Sequence, residues 1–99
     1  MSTKERVKER VIEELKTIID PEIGIDIYSL GLIYQIEINS EKQIKLTMTY
    51  TTPFCPYGQA LKTEVENALR DLGFSQVRLA VTFEPPWKPP ENLREMMGI

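Results

Sequence analysis

Leu32-Ile33-Tyr34-Gln35-Ile36-Glu37-Ile38, then Asn39-Ser40-Glu41-Lys42, then Gln43-Ile44-Lys45-Leu46-Thr47-Met48-Thr49-Tyr50: on both sides of a polar break, apolar side chains take every second position. Successive side chains of a strand point to opposite faces, so the pattern predicts two half-buried strands. Tyr34, Ile36 and Ile38 share one face of the first, with Ile33, Gln35 and Glu37 on the other. Ile44, Leu46, Met48 and Tyr50 alternate with Lys45, Thr47 and Thr49 in the second. The four polar residues between them suit a reversal, which makes the pair an antiparallel hairpin.

Upstream of the hairpin the period changes. Val7, Val11, Leu15 and Ile18 recur at helical spacing, and Ser2 with Glu5 fits a capping box, which predicts a helix over about residues 3–19. Pro21 disfavours helical geometry at Asp20, so the chain leaves the helix there and enters an irregular stretch, residues 20–31. Connections of that length without regular structure are uncommon unless they carry function.

Downstream, Pro53 and Pro56 forbid a central strand, and from Tyr57 the apolar positions Leu61, Val65, Leu69 and Leu72 return to helical spacing before Gly73, a C-terminal cap. Val77, Leu79, Val81 and Phe83 then alternate with Arg78, Ala80 and Thr82 in a third strand that stops at Pro85 and Pro86. Beyond lies a proline-rich tail from about residue 85, with one or two helical turns expected over 91–97. The order α-β-β-α-β predicts an α+β two-layer sandwich, a three-stranded mixed sheet with helices packed on one face, in a single domain over residues 1–99.

Topology then places the loops. A hairpin brings the start of the first strand beside the end of the second, and a helical crossover makes the third strand parallel to the second. Residues 20–31, 51–56 and 85–90 therefore converge on one edge of the sheet.

Composition narrows the chemistry. The 99 residues are 41% hydrophobic, enough for one shared core and too few for a second domain. A formal net charge of −3 argues against nucleic acid as a partner. The start of the chain lacks the continuous apolar run of a secretory signal and no stretch approaches membrane-spanning length, so the expectation is a cytoplasmic protein with no membrane partner. There is no histidine, which removes imidazole-based catalysis and imidazole-ligated metal sites, and Cys55 is the one cysteine, which removes an internal disulfide.

At the shared edge stand Cys55, Asp20, Glu22, Thr51 and Thr52. Cys55 precedes the second helix, where unpaired N–H groups and the helix dipole favour a thiolate, both nucleophile and soft metal ligand. Against this stands the common role of a lone cysteine as a small core hydrophobe. Asp20 and Glu22, separated by one stiff proline, present two carboxylates to a metal or a protonated group; the plainer alternative is a turn-capping Asp20 and a solvated Glu22. Thr51 and Thr52 can donate hydrogen bonds to a ligand, yet threonine is also ordinary at a strand end. Trp87, set among prolines, suits either a partner-binding aromatic or a cover over the open end of the core.

Asp20-Pro21-Glu22-Ile23, Tyr28-Ser29-Leu30-Gly31-Leu32-Ile33-Tyr34, Thr51-Thr52-Pro53-Phe54-Cys55-Pro56 and Pro85-Pro86-Trp87 together resemble the SufT/PaaD-like (MIP-type) family of iron–sulfur cluster assembly. The resemblance spans residues 20–87. It implies a fold of the iron–sulfur-cluster-assembly class, a maturation role rather than an enzyme's, and Asp20, Glu22, Thr51, Thr52 and Cys55 as the site. It also implies no tightly bound cofactor, a transient cluster or iron contact at Cys55, and scaffold or carrier proteins and apo-protein clients as partners. One thiol cannot ligate a cluster alone, so a homodimer or a partner would supply the rest. The alternatives are a non-catalytic adaptor and a subunit of a phenylacetate-degradation-type oxygenase system. The latter branch typically carries further cysteines, which this chain lacks. Thiol-dependent catalysis ranks last, because carboxylates are weak bases for a thiol.

Overall fold

The computed structural model describes residues 3–52 and 56–91. The elements run α1 (Thr3–Leu15), β1 (Ile33–Ser40), β2 (Gln43–Met48), α2 (Gly58–Asp71) and β3 (Gln76–Val81). The sheet order is β1-β2-β3, with β1 antiparallel and β3 parallel to β2. The expected mixed sheet therefore forms, with the crossover through α2.

Alternation decides which face is covered. Ile38, Ile44, Leu46 and Met48 are buried, and Ile36 pairs with Leu46 as Ile38 does with Ile44, so these side chains share one face. Val77, Leu79 and Val81 continue that face on β3, where they are half-buried. Val11 and Leu15 of α1 and Leu61, Val65 and Leu69 of α2 complete the core. Removing fully buried aliphatic side chains such as Leu69 costs about 2–5 kcal/mol in alanine replacements of this type. Glu37, Lys45 and Arg78 lie on the opposite, solvent-facing side. Among the described residues no helix is long and apolar enough to cross a membrane.

Helix α1 stops at Leu15, four residues short of the expected end. Thr17-Ile18-Ile19 is a β-branched run, poorly suited to a helix interior. The last turn tightens through Thr17 N to Glu14 O (3.0 Å) and Ile18 N to Leu15 O (3.2 Å), while Thr17 Oγ1 also donates to Glu14 O. Ile18 keeps its place in the core, but from an extended segment in which Ile19 bridges to Asp26. Ser2, the expected cap of α1, and the expected helical turns beyond Glu91 lie outside the described residues.

The end of α2 matches expectation closely. Gly73 has φ of 111°, its N–H donates to Arg70 O at 2.9 Å, and the N–H of Phe74 donates to Leu69 O at 3.3 Å. These two bonds form the paired C-terminal cap that a positive-φ glycine permits, and buried Phe74 seals it from below.

Candidate functional site

Residues 20–31 are far more ordered than an irregular loop. Asp20 is 1% exposed, and its Oδ1 accepts from the backbone N–H groups of Glu22 (2.8 Å) and Ile23 (3.1 Å). The main chain of Asp20 closes the same turn, its N–H donating to Ile25 O and its carbonyl accepting from Gly24. Pro21 has no N–H to satisfy, so the aspartate can reach past it to the next two donors. A second carboxylate repeats the device: Asp26 Oδ2 accepts from Ser29 N at 2.9 Å, and Asp26 O accepts from Leu30 N. Ile27, Leu30 and Leu32 are fully buried, which pins both turns to the core.

The two members of the acidic pair thus occupy different environments. Asp20 is buried, with Oδ1 engaged by two backbone donors. Glu22 is exposed. Among the described residues no group of three or more His, Cys, Asp or Glu side chains is placed to hold a metal ion.

Three strand ends lie side by side where this loop enters the sheet. Thr49 N donates to Leu32 O at 2.8 Å, and Thr82 N donates to Met48 O at 2.9 Å, extending the two ladders one step beyond the strands. Thr49 is fully buried, although the alternation placed it on the outward face. The strand ends at Met48, so the period of two no longer governs the next residue. Thr51 and Thr52 follow at the same end, both half-buried. Cys55 lies outside the described residues, between Thr52 and the exposed Pro56.

Segment 85–90 crosses to the first loop. Trp87 is half-buried against the core and its Nε1 donates to Leu30 O at 2.7 Å; Tyr34 Oη donates to Pro85 O at 2.8 Å. Pro90 and Trp87 also flank Gly31. The structure therefore joins residues 85–90 to residues 20–31, as the topology predicts.

The start of α2 shows a residue that the sequence reading passed over. Gly58 is buried, and a Cβ built there would stand 2.8 Å from Cε2 and 3.0 Å from Cζ of Tyr50. Tyr50 in turn stacks obliquely on Phe83, with ring centroids 6.1 Å apart. These contacts fix both ends of the segment that carries Thr51, Thr52 and Cys55. A glycine at the first position of a helix, just after Pro56-Tyr57, was the available signal. Tyr57, at the N-cap position, makes no side-chain capping bond to the helix. The Asp26-x-x-Ser29 spacing was a second overlooked signal, since aspartate readily bonds backbone N–H groups a few residues on.

Comparisons with known proteins agree with this architecture. Residues 8–81 match the family described as iron–sulfur cluster assembly protein. The chain is 34% identical over 84 residues to the Fe-S protein maturation auxiliary factor YitW of Bacillus subtilis, covering 84% of this chain and 82% of that one. It is 32% identical over 93 residues to an Fe-S protein maturation auxiliary factor of Porphyromonas gingivalis, covering 93% and 89%. Among solved structures it is similar to a conserved hypothetical protein from Thermotoga maritima, with a TM-score of 0.81 and 41% identity, covering 93% of this chain and 94% of that one.

Proposed function

The chain belongs to the iron–sulfur cluster assembly protein family, and from that membership we propose that it is an auxiliary maturation factor that contacts a cluster or iron transiently through Cys55. A general part in iron–sulfur protein maturation follows from the family. The finer reading assigns roles at the rim. Cys55 supplies the thiolate, Asp20 a buried carboxylate fixed by its turn, and Glu22 an exposed acidic group. Thr51 and Thr52 supply hydroxyl donors just past the β2 end. The cluster is cargo, passed from a scaffold or carrier to an apo-protein, so the role calls for no catalytic step.

The observation that carries this reading is the alignment of the β1 start, the β2 end and the β3 end at one edge, with residues 85–90 running from β3 to residues 20–31. Helix α2 begins three positions after Cys55 without a side-chain cap from Tyr57, and helix N-terminal N–H groups favour a nearby thiolate. Clusters are held by about four thiolates or a near variant, so a second copy of the chain or a partner completes the ligand set.

Complementation of a deletion strain with wild-type protein or Cys55→Ser, read by the activity of an aconitase-type cluster enzyme, tests the process and the residue together. Anaerobic reconstitution with iron and sulfide, followed by absorbance and iron content, tests direct ligation. Equal iron content in wild type and Cys55→Ser would end the ligand role.

A second reading is favoured by the way Asp20 and Trp87 are used. Both make bonds that build the rim rather than leave it free for chemistry. On that reading the rim is an adaptor surface with a structural Cys55, and Cys55→Ser supports full cluster-enzyme activity.

A further inference from the structure

A cleft of about 510 Å³ opens at the end of the sheet opposite residues 20–31, between the start of α1, the hairpin turn and the end of α2. Strand β2 separates the two ends, a span of roughly 17 Å at the usual rise per residue. Arg6 and Arg10 stand on one rim and Lys42 on the other, with Glu41 as the one acidic residue on the lining. No ion pair or side-chain hydrogen bond engages these three cations among the described residues. In a chain of net charge −3 this is a local reversal of sign. Val7, Leu72 and Phe74 supply an apolar lining.

The cleft also adjoins a second one. A neighbouring cleft of about 250 Å³ shares Thr3, Val7 and Glu41 with it and adds Lys4 and Ile38. Cations above apolar side chains, continued along a groove, match an extended chain better than a compact anion. Arg6 and Arg10 lie one helical turn apart, about 6 Å along the axis, close to the roughly 6.7 Å between alternate residues of an extended peptide. Alternate carboxylates of such a peptide can therefore meet both guanidinium groups.

We propose that this groove docks an extended acidic segment of a partner protein, in which carboxylate and apolar residues alternate. Arg6, Arg10 and Lys42 pair with the carboxylates, and the apolar side chains lie on Val7 and Leu72, with buried Phe74 beneath them. The site lies at the opposite end of β2 from residues 20–31, so one molecule can hold a partner here while its other end is occupied.

Fluorescence anisotropy with a labelled peptide of alternating glutamate and leucine, against the same peptide with lysine for glutamate, tests the proposal on the 99-residue chain. The glutamate peptide is expected to bind saturably, to weaken as salt screens the pairing, and to bind Cys55→Ser equally well. The double variant Arg6→Glu/Arg10→Glu should bind it at least about tenfold more weakly, a loss of about 1.4 kcal/mol, with unchanged circular dichroism. If that variant does not fold, Lys42→Glu in the exposed turn serves instead and should weaken binding about threefold, the scale of one exposed charge pair. The proposal is overturned if the glutamate peptide fails to bind, if the lysine peptide binds as well, or if a folded charge-reversal variant binds like wild type. Full displacement by millimolar citrate would likewise overturn it, by assigning the groove to a small free anion.

Discussion

The indole Nε1 of Trp87 donates to the carbonyl of Leu30 across 2.7 Å, between positions 57 apart in the chain. Leu30 is fully buried, so this carbonyl would otherwise sit at the edge of the core without its partner. Trp87→Phe keeps most of the ring's packing and removes the donor; urea unfolding should show a loss of about 1–2 kcal/mol. Trp87→Ala also removes the apolar cover and should cost about 2–4 kcal/mol, discounted from a full core truncation because Trp87 is half-buried. If Trp87→Phe is as stable as wild type, the bond contributes nothing and the indole is free to serve a partner.

Gly58 and Tyr50 constrain the other side of the rim. Gly58→Ala places a methyl 2.8 Å from the Tyr50 ring, so the ring or the helix start must move. Overpacking of this kind costs about 1–3 kcal/mol. Combining it with Tyr50→Ala should cost less than the two single changes added together, because the clash is then gone; additive losses in thermal melting would refute the contact.

Asp20 can be divided into its two oxygens by substitution. Asp20→Ala removes the acceptor for Glu22 N and Ile23 N and should lower stability by about 1–2 kcal/mol. Asp20→Asn retains an acceptor oxygen and should stay within about 0.5 kcal/mol of wild type, since asparagine caps as well as aspartate. On the proposed function, that isosteric change nevertheless lowers cluster-enzyme maturation. Glu22→Gln, at an exposed position, should leave stability within about 0.5 kcal/mol.

At Gly73 the space is open, since a Cβ there would meet nothing within 4 Å, yet φ is 111°. Gly73→Ala should therefore lose about 1 kcal/mol or more through backbone strain alone. A chemical-denaturation midpoint equal to that of wild type would show that the cap relaxes without cost.

Local pattern carried much of this structure. The alternation of Ile36-Glu37-Ile38 and Ile44-Lys45-Leu46 determined the hairpin and its covered face, because a strand's side chains can do only two things. Leu61, Val65 and Leu69 with Gly73 determined α2 and its end, through a helical period and a glycine that tolerates positive φ. Handedness and hairpin geometry then made β3 parallel to β2 and brought residues 20–31 and 85–90 together.

Tertiary structure decided what distance along the chain conceals. Beyond the β-branched run at Thr17 the chain enters the Ile19–Asp26 bridge, and Asp20 is buried in the turn that this bridge and the bond from Ile27 N to Ile18 O close. Thr49 is buried because Leu32 pairs with it, Gly58 is required because Tyr50 lies against it, and Trp87 covers the core because Leu30 presents a carbonyl to it. Periodicity reports which way a residue faces its own element; which atom meets it from another element is set by the packing of the whole chain.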